Sequence, residues 1–482
     1  MSTVNNRKEQ DTLINIPVKS FIEVTVLLVV LLIVSVTLTY ILPHGEFGVL
    51  PDGQPDYLNY IPRDDLGGIP LVKGIFAPFL VFASKDGPAL IVLSVFLLVI
   101  SGAFQVMNDG GGIRALVDSV SSRFRTHRTL LLVMVAFLFY CFGSFLGLFE
   151  EMLTMLPIVA SLCVCIGYDS FTGFICSILA CGLGFAGAVT NPFTVLLASR
   201  IIGADLCEHI WYRLVIFVVM FVLFLGFLFL YIRKLEKDPS SSLTADHDNM
   251  LIQNAAVEND PEQNKGQNTR RLRTSYTLFL SGALILIIAA SFISFLRDYT
   301  VVIMIAYFLI FGIITGAVTT GSLRNTLRSL LKGIAGTLPT IVFIALAASV
   351  KYVFEQGSVL PAIINQVNVF ISGRSPVSIA LFIYLTVLFL EFFISSSTAK
   401  AILVMGFLSV LNTGLSKQLL VLLYTFGDGY TNVLFPTSPV LLISLSMIGV
   451  KYSTWVRKSV PLFAINFLLV IAFIITAVLL GY

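Results

Sequence analysis

The feature that most constrains this chain is a succession of apolar segments, each close to the roughly 20 residues a helix needs to cross about 30 Å of hydrocarbon. Nine run cleanly, at about 21–42, 88–107, 173–199, 211–233, 276–296, 300–319, 333–353, 419–445 and 460–482. Two more, 129–166 and 376–411, are interrupted at their centres by charged or hydroxylated residues, a pattern that predicts helical hairpins returning to the side they entered from. Composition agrees, with 57% of the 482 residues hydrophobic, 12% charged and a mean hydropathy of +0.94. Most of the chain therefore belongs in lipid. A net charge of +3, with basic residues gathered at the ends of apolar runs rather than in a stripe, argues against nucleic-acid binding.

The expected fold is an all-α polytopic membrane protein of two inverted repeats, with about nine spans, two re-entrant hairpins and two unwound helices. Lysine and arginine in short loops prefer the cytoplasm. Arg7, Lys8 and Lys19 place the N-terminus inside, whereas 44–68, carrying Asp52, Asp56, Asp64 and Asp65, belongs outside. Arg114, Arg123, Arg125, Arg128, Arg233, Lys234 and Lys237 are inside again, with Arg270, Arg271, Arg273, Arg324, Arg328, Lys332, Lys451, Arg457 and Lys458. The division that follows is a cytoplasmic tail over 1–20, a first repeat over 21–233, a cytoplasmic linker over 234–274 and a second repeat over 275–482. Within that linker, 238–269 is polar and poor in aromatics, the composition of a flexible connector. The first apolar run is too extended for a signal peptide and lacks a small-residue cleavage site, so it is expected to stay as an anchor in a bacterial inner membrane.

Pairing elements by topology matches 21–42 with 300–319, 88–107 with 333–353, hairpin with hairpin, 173–199 with 419–445, and 211–233 with 460–482. The segment 276–296 is left over as the crossing that inverts the second half. Glu150, Thr190 and Asn191 stand at a constant offset of 241 from Glu391, Thr431 and Asn432, which is either a trace of the repeat or a coincidence among common residue types. Inverted repeats with broken helices are the recurring plan of secondary transporters.

Candidate chemistry lies where the apolar runs are interrupted. Gly182, Gly184 and Gly187 precede Thr190-Asn191-Pro192, and Gly427-Asp428-Gly429 with Thr431-Asn432 precede Pro436-Thr437-Ser438-Pro439. Proline removes a donor and disfavours helix for the residue before it, freeing carbonyls for a cation or a substrate. A kink packed against a neighbouring helix is the plainer alternative for either break. Glu150, Glu151 and Glu391 lie far from both ends of their apolar segments, where a carboxylate costs a few kcal/mol unless used or solvated. Ser395-Ser396-Ser397-Thr398-Ala399-Lys400 is the most polar stretch, and its hydroxyls and amides suit a carboxylate or a Na⁺ at Ser396 and Ser397. Lys400 either contacts substrate or forms a structural pair with Glu391.

Other residues carry less. Cys141, Cys163, Cys165, Cys176, Cys181 and Cys207 form no C-x-x-C pair and read as buried packing residues. His44, His127, His209 and His247 fall at or beyond span ends, which disfavours a histidine relay in the core. Tyr40, Trp211, Tyr212, Tyr231, Tyr352 and Trp455 read as interfacial anchors. Gly110-Gly111-Gly112 lacks the spacing of a phosphate loop and is expected to open an amphipathic surface helix. No cofactor is called for.

With these residues in view, the chain resembles the DcuC/YfcC family, the C4-dicarboxylate anaerobic carrier group of the ion-transporter superfamily. The resemblance spans nearly the whole chain. It is carried by Glu150-Glu151 through Pro157-Ile158, Gly167-Tyr168-Asp169, Thr190-Asn191-Pro192-Phe193-Thr194, Ser397-Thr398-Ala399-Lys400-Ala401, and Phe426-Gly427-Asp428-Gly429 with Asn432 and Pro436-Thr437-Ser438. It implies a scaffold and a moving transport domain, with Glu150, Glu151, Thr190, Asn191, Thr194, Glu391, Ser396, Ser397, Thr398, Lys400, Asp428, Thr431, Asn432 and Thr437 around one substrate and ion site. Ser396-Ser397-Thr398 is similar to the Ser-Asn-Thr hairpin tips of sodium-coupled relatives, and Glu150-Glu151-Met152 departs from that signature. Na⁺, H⁺ or plain exchange therefore all remain open, as does a homodimer. Family substrates run from C4-dicarboxylates to basic amino acids exchanged as arginine for ornithine.

Acidic residues outnumber Lys400 in the core, and no intramembrane arginine stands out for the bidentate grip a dicarboxylate favours, which points to an amino acid bearing positive charge. Two other classes compete. Tyr168-Asp169 and Gly427-Asp428 suggest an intramembrane aspartyl protease, although Thr425 stands where its motif requires glycine. A channel is the third, and broken helices between repeats favour a carrier.

Overall fold

The computed structural model describes residues 18–51, 55–63, 65, 67–116, 119, 127–205, 208–245, 247–249, 269–292, 299–371 and 373–482. The expected tail over 1–17, Asp52, Asp64, Arg123, Arg125, Cys207 and most of the linker lie outside them. Eight helices among the described residues are long and apolar enough to span a bilayer. Six match uninterrupted runs of the sequence: α1 (Val18–Ile41), α3 (Gly87–Asp109), α8 (Ile210–Lys237), α10 (Thr300–Thr320), α11 (Leu323–Gln356) and α17 (Tyr452–Leu480), with α2 (Leu71–Leu80) a short helix before α3. The other two are the first arms of the hairpins. α4 (Arg128–Cys141) continues through a π turn at Phe142–Leu146 and is answered by α5 (Leu156–Cys165), and α13 (Pro376–Phe393) is answered by α14 (Ser397–Val410).

The runs 173–199 and 419–445 are broken helices. α6 covers Ser170–Ala186, and α7 resumes at Pro192 and ends at Ile202. α15 covers Lys417–Asp428, a 3₁₀ turn occupies Tyr430–Val433, and α16 resumes over Pro439–Met447. In both, the second arm restarts at a proline in the first turn, where the missing N–H has no helical partner to lose. The remaining run lies in α9 (Thr269–Phe292), beyond which 293–298 fall outside the described residues.

The order long helix, long helix, hairpin, broken helix, long helix occurs twice, and so does its packing. α1 packs on α11 while its counterpart α10 packs on α3, and the equivalent pair α3 and α11 pack on each other. α4 packs on α6 as α13 packs on α15, and α8 packs on α17. This exchange of partners is what a two-fold relation between the halves produces. The offset of 241 does not follow it: Glu150 lies in the turn after a helix whereas Glu391 lies inside α13, and Asn191 caps a helix whereas Asn432 lies in a 3₁₀ turn.

Three features depart from the sequence reading. The all-α membrane fold is joined by one ribbon the sequence reading did not include, β1 (Gly45–Val49) and β2 (Pro55–Pro62), an antiparallel pair with an irregularity between Phe47 and Gly48. It is tied to the end of α11 by the Gly45 amide donating to the Ser358 carbonyl at 3.0 Å, and Phe47 and Tyr57 lie over Phe407 of α14 at 5.8 and 6.2 Å. Second, α12 (Leu360–Ile371) is a short helix that the apolar scan passed over. Third, the start of the linker is held rather than loose: buried Asp248 accepts hydrogen bonds from the Ser170 amide at 3.1 Å, the Thr244 hydroxyl at 2.7 Å and the Ser170 hydroxyl. Asp169 likewise caps α6 through Thr172 and accepts from Tyr231 and Ser242.

Two predictions arise here. Burial pushes the Asp248 carboxyl up, but hydrogen bonds from His247, Ser170 and Thr244 outweigh it and hold the group below the ordinary carboxylate value. A depressed folded value means the attachment is fully present above the unfolded value and is lost as pH falls through the lower one. Protease cleavage within 238–249 should therefore stay slow from neutral to mildly acidic pH, and Asp248→Asn should make it fast at neutrality. In the core, a Cβ at Gly429 would lie 2.6 Å from Ala186 Cα on the facing broken helix, whereas Gly226 on α8 meets nothing within 4 Å. Gly429→Val should cost about 1–3 kcal/mol or more in thermal unfolding, and Gly226→Ala should cost nothing measurable.

Candidate functional site

A break in a helix leaves amides and carbonyls that lipid cannot satisfy, so each must find a partner within the protein. In the first half the hairpin supplies them. The Ser144 hydroxyl in the π turn donates to the Gly187 carbonyl at 2.8 Å, and the Ser144 carbonyl accepts from the amides of Val189 and Thr190 at 3.2 and 3.3 Å. Thr190 donates its hydroxyl to the Phe145 carbonyl at 3.2 Å. Asn191 is wholly engaged: its Nδ2 donates to the Gly143 carbonyl at 3.0 Å, and its Oδ1 caps α7 by accepting from Phe193 and Thr194 at 2.9 and 3.2 Å. Gly147 turns the chain with φ +68°, and a Cβ there would sit 2.6 Å from Asn191 Oδ1.

The second half solves the same problem with tryptophan, tyrosine, asparagine and threonine. Trp455 Nε1 donates to the Val433 carbonyl at 2.9 Å and the Tyr452 hydroxyl to the Leu434 carbonyl at 2.9 Å. Asn432 Nδ2 donates to the Asp428 carbonyl at 2.7 Å, and the Thr431 hydroxyl to the Gly427 carbonyl at 3.4 Å. Trp455 is thus buried and structural rather than an interfacial anchor. Tyr212 also departs from that expectation, being buried with its hydroxyl on the Phe473 carbonyl at 2.6 Å.

At the junction of α13, α14 and α15, Lys400 is fully buried. Its ammonium pairs with Glu391, with Asp428 Oδ1 at 2.8 Å, and with the Ile394 carbonyl at 3.2 Å. The expected pair with Glu391 forms, and Asp428 joins it as a third member. Ser397 Oγ donates to Asp428 Oδ2 at 2.9 Å, Tyr424 donates to the Ser397 carbonyl, and Ser396 caps α14 by accepting from the Ala399 amide at 3.4 Å. Ser396 and Thr398 are exposed at this tip, and Thr437 is buried in the unwound segment before α16.

The first tip is different. Glu150 is exposed and makes no side-chain hydrogen bond or ion pair among the described residues, while the adjacent Glu151 is buried. Thr194 is buried with an unpartnered hydroxyl among the described residues. The two breaks meet: Gly429 faces the backbone of Phe185 and Ala186, and Gly182 faces Val433 at 2.3 Å from where its Cβ would be. α7 packs on both α14 and α15, so elements carrying residues named from both halves share one region.

Sequence reading passed over several residues here. Ser144 and Tyr424 are polar positions inside apolar runs, and Tyr424 stands one helical turn before Asp428. Arg213 reads as a span-end cation, yet it is buried in α8 with Nη1 directed at the Ala188 carbonyl in the first break at 3.4 Å. The expectation of no well-placed arginine is corrected to that extent. An apolar surface groove of about 480 Å³ lies between α1 and α13, and none of these polar groups lines it.

The model for the C4-dicarboxylate anaerobic carrier family, DcuC, matches residues 21–479. The chain belongs to this family. It is 26% identical over 467 residues to an Escherichia coli protein named "Putative basic amino acid antiporter YfcC", covering 91% of this chain and 88% of that one. A Haemophilus influenzae protein with no assigned function is 27% identical over 371 residues, covering 76% and 72%. The crystal structure of the YdaH transporter of Alcanivorax borkumensis aligns over 95% of this chain and 99% of its own at 15% identity, with a TM-score of 0.43. The family match makes the chain a multi-pass member of a transporter family, and the protease alternative is not supported: Asp169 caps α6 beside Tyr231, Asp428 is paired with Lys400, and the two share no partner among the described residues.

Removing one member of a buried ion cluster strands the others, typically at about 3–5 kcal/mol. Lys400→Met should lower thermal stability by that order in detergent. Glu391→Gln/Lys400→Met should recover part of the loss, which a double-mutant cycle measures.

Proposed function

We propose that this protein is a secondary transporter of a small metabolite bearing a carboxylate, most closely an amino acid with a cationic side chain, moved by exchange or with a coupling ion across a bacterial inner membrane. The single observation that carries this reading is the contrast between the two tips. Lys400 compensates the acids of the second tip, whereas Glu150 and Glu151 at the first have no basic partner among the described residues. An uncompensated carboxylate pair near mid-span is suited to a guanidinium or ammonium group. The amides that open α14, with the hydroxyls of Thr194, Ser396 and Thr398, offer the complementary face for a substrate carboxylate.

The basic residues flanking the spans support a cytoplasmic N-terminus and repeats of opposite orientation, divided at the polar segment between α8 and α9. A C4-dicarboxylate is the second reading, favoured by the family's description and by Lys400 and Arg213 near the breaks. Arg213 is directed at a backbone carbonyl, which leaves less of its fork for a carboxylate. A proteoliposome panel of labelled arginine, ornithine, lysine, succinate and fumarate, with and without Na⁺ and pH gradients, separates them. Saturable arginine uptake stimulated by internal ornithine and reduced at least tenfold in Glu150→Gln is expected. Movement of succinate without arginine would overturn the amino-acid reading.

A further inference from the structure

The arrangement around Lys400 has the form of a cation site rather than of a lone salt bridge. Its ligands come from three places: the carboxylate of Glu391 inside α13, the carbonyl of Ile394 where that helix ends, and Oδ1 of Asp428 at the end of α15. All are oxygens, two of them anionic, converging where one helix turns back and another unwinds. That is the donor set a dehydrated monovalent cation needs in the middle of a membrane. The supporting bonds hold the oxygens rather than the nitrogen: Ser397 fixes the other oxygen of Asp428, and Asn432 fixes its backbone carbonyl. Lys400 is fully buried and one turn into α14, so its ammonium reaches back toward the tip instead of out to solvent.

We propose that Lys400 is a covalently tethered cation filling the cation position of the second hairpin, so that this half of the protein takes up no Na⁺. This deepens the carrier reading and rests on it for the identity of the site, and it replaces the sequence expectation of Na⁺ at Ser396 and Ser397. Any ion coupling is then confined to the first half, where Glu150 and Glu151 have no basic partner among the described residues. With the ammonium present the cation position is filled, and with it removed the same oxygens form a vacant pocket holding two uncompensated carboxylates.

The test uses the full-length purified protein and reads thermal unfolding in sodium chloride against choline chloride at equal ionic strength. Binding to the folded state alone raises the transition temperature by mass action. Wild type should unfold at the same temperature in both salts, and Lys400→Met should gain about 2–4 °C in sodium. Lys400→Arg, which keeps the tethered charge, should remain indifferent to sodium. A folded Lys400→Met that ignores Na⁺ overturns the proposal, as does a wild-type protein stabilised by Na⁺ in a manner abolished by Asp428→Asn. Where Lys400→Met does not fold, Glu391→Gln/Lys400→Met carries the same two arms, a sodium-dependent rise supporting the proposal and its absence overturning it. No arm contains substrate, so failure of arginine transport leaves these outcomes unchanged.

Discussion

In hydrocarbon there is no water to satisfy a peptide group, and everything distinctive about this structure follows from that. A continuous helix satisfies its own backbone; a broken one has to borrow. Each broken helix here is repaired by neighbouring elements, and the repairs differ in kind. The first uses hydroxyls, an asparagine and the π turn of the hairpin, with Arg213 directed at one carbonyl. The second uses indole, phenol and carboxamide groups, with a lysine bound at the adjacent hairpin tip. Two halves with one element order and one packing scheme thus meet with different chemistry at their centres.

That asymmetry has a functional side. The second tip is electrically almost complete in itself, with its cation supplied by the chain. The first leaves a pair of adjacent carboxylates and an unpartnered threonine hydroxyl. A repeated scaffold with unlike contents gives the two breaks different electrostatics. Arg213 adds a further charge at the first break, but its direction toward the Ala188 carbonyl makes it part of the repair.

Much of the fold was legible because its signal is long. Runs of 20 or so apolar residues have few readings, and their interruptions at Glu150 and at Ser395 to Lys400 mark the two hairpins within a few residues. Prolines 192 and 439 mark the restart of both broken helices for a local reason, the missing donor. The site was legible only as an inventory. That Asn191 spends both ends of its amide on backbone, or that Asp428 sits on Lys400, depends on which helices touch, and spacing along the chain carries none of that. The constant offset between Glu150 and Glu391 is instructive: the numbers agree and the local roles do not. β1, β2 and α12 went unseen because a search tuned to bilayer-length runs has no sensitivity to an 8-residue strand or a 12-residue helix.

The small sheet deserves its own mechanical reading. Its first strand is anchored to the end of α11, and its aromatic side chains cover Phe407 of the second hairpin. A ribbon hydrogen-bonded at the end of α11 and stacked on α14 ties the two helices together, with Phe407 held beneath two rings.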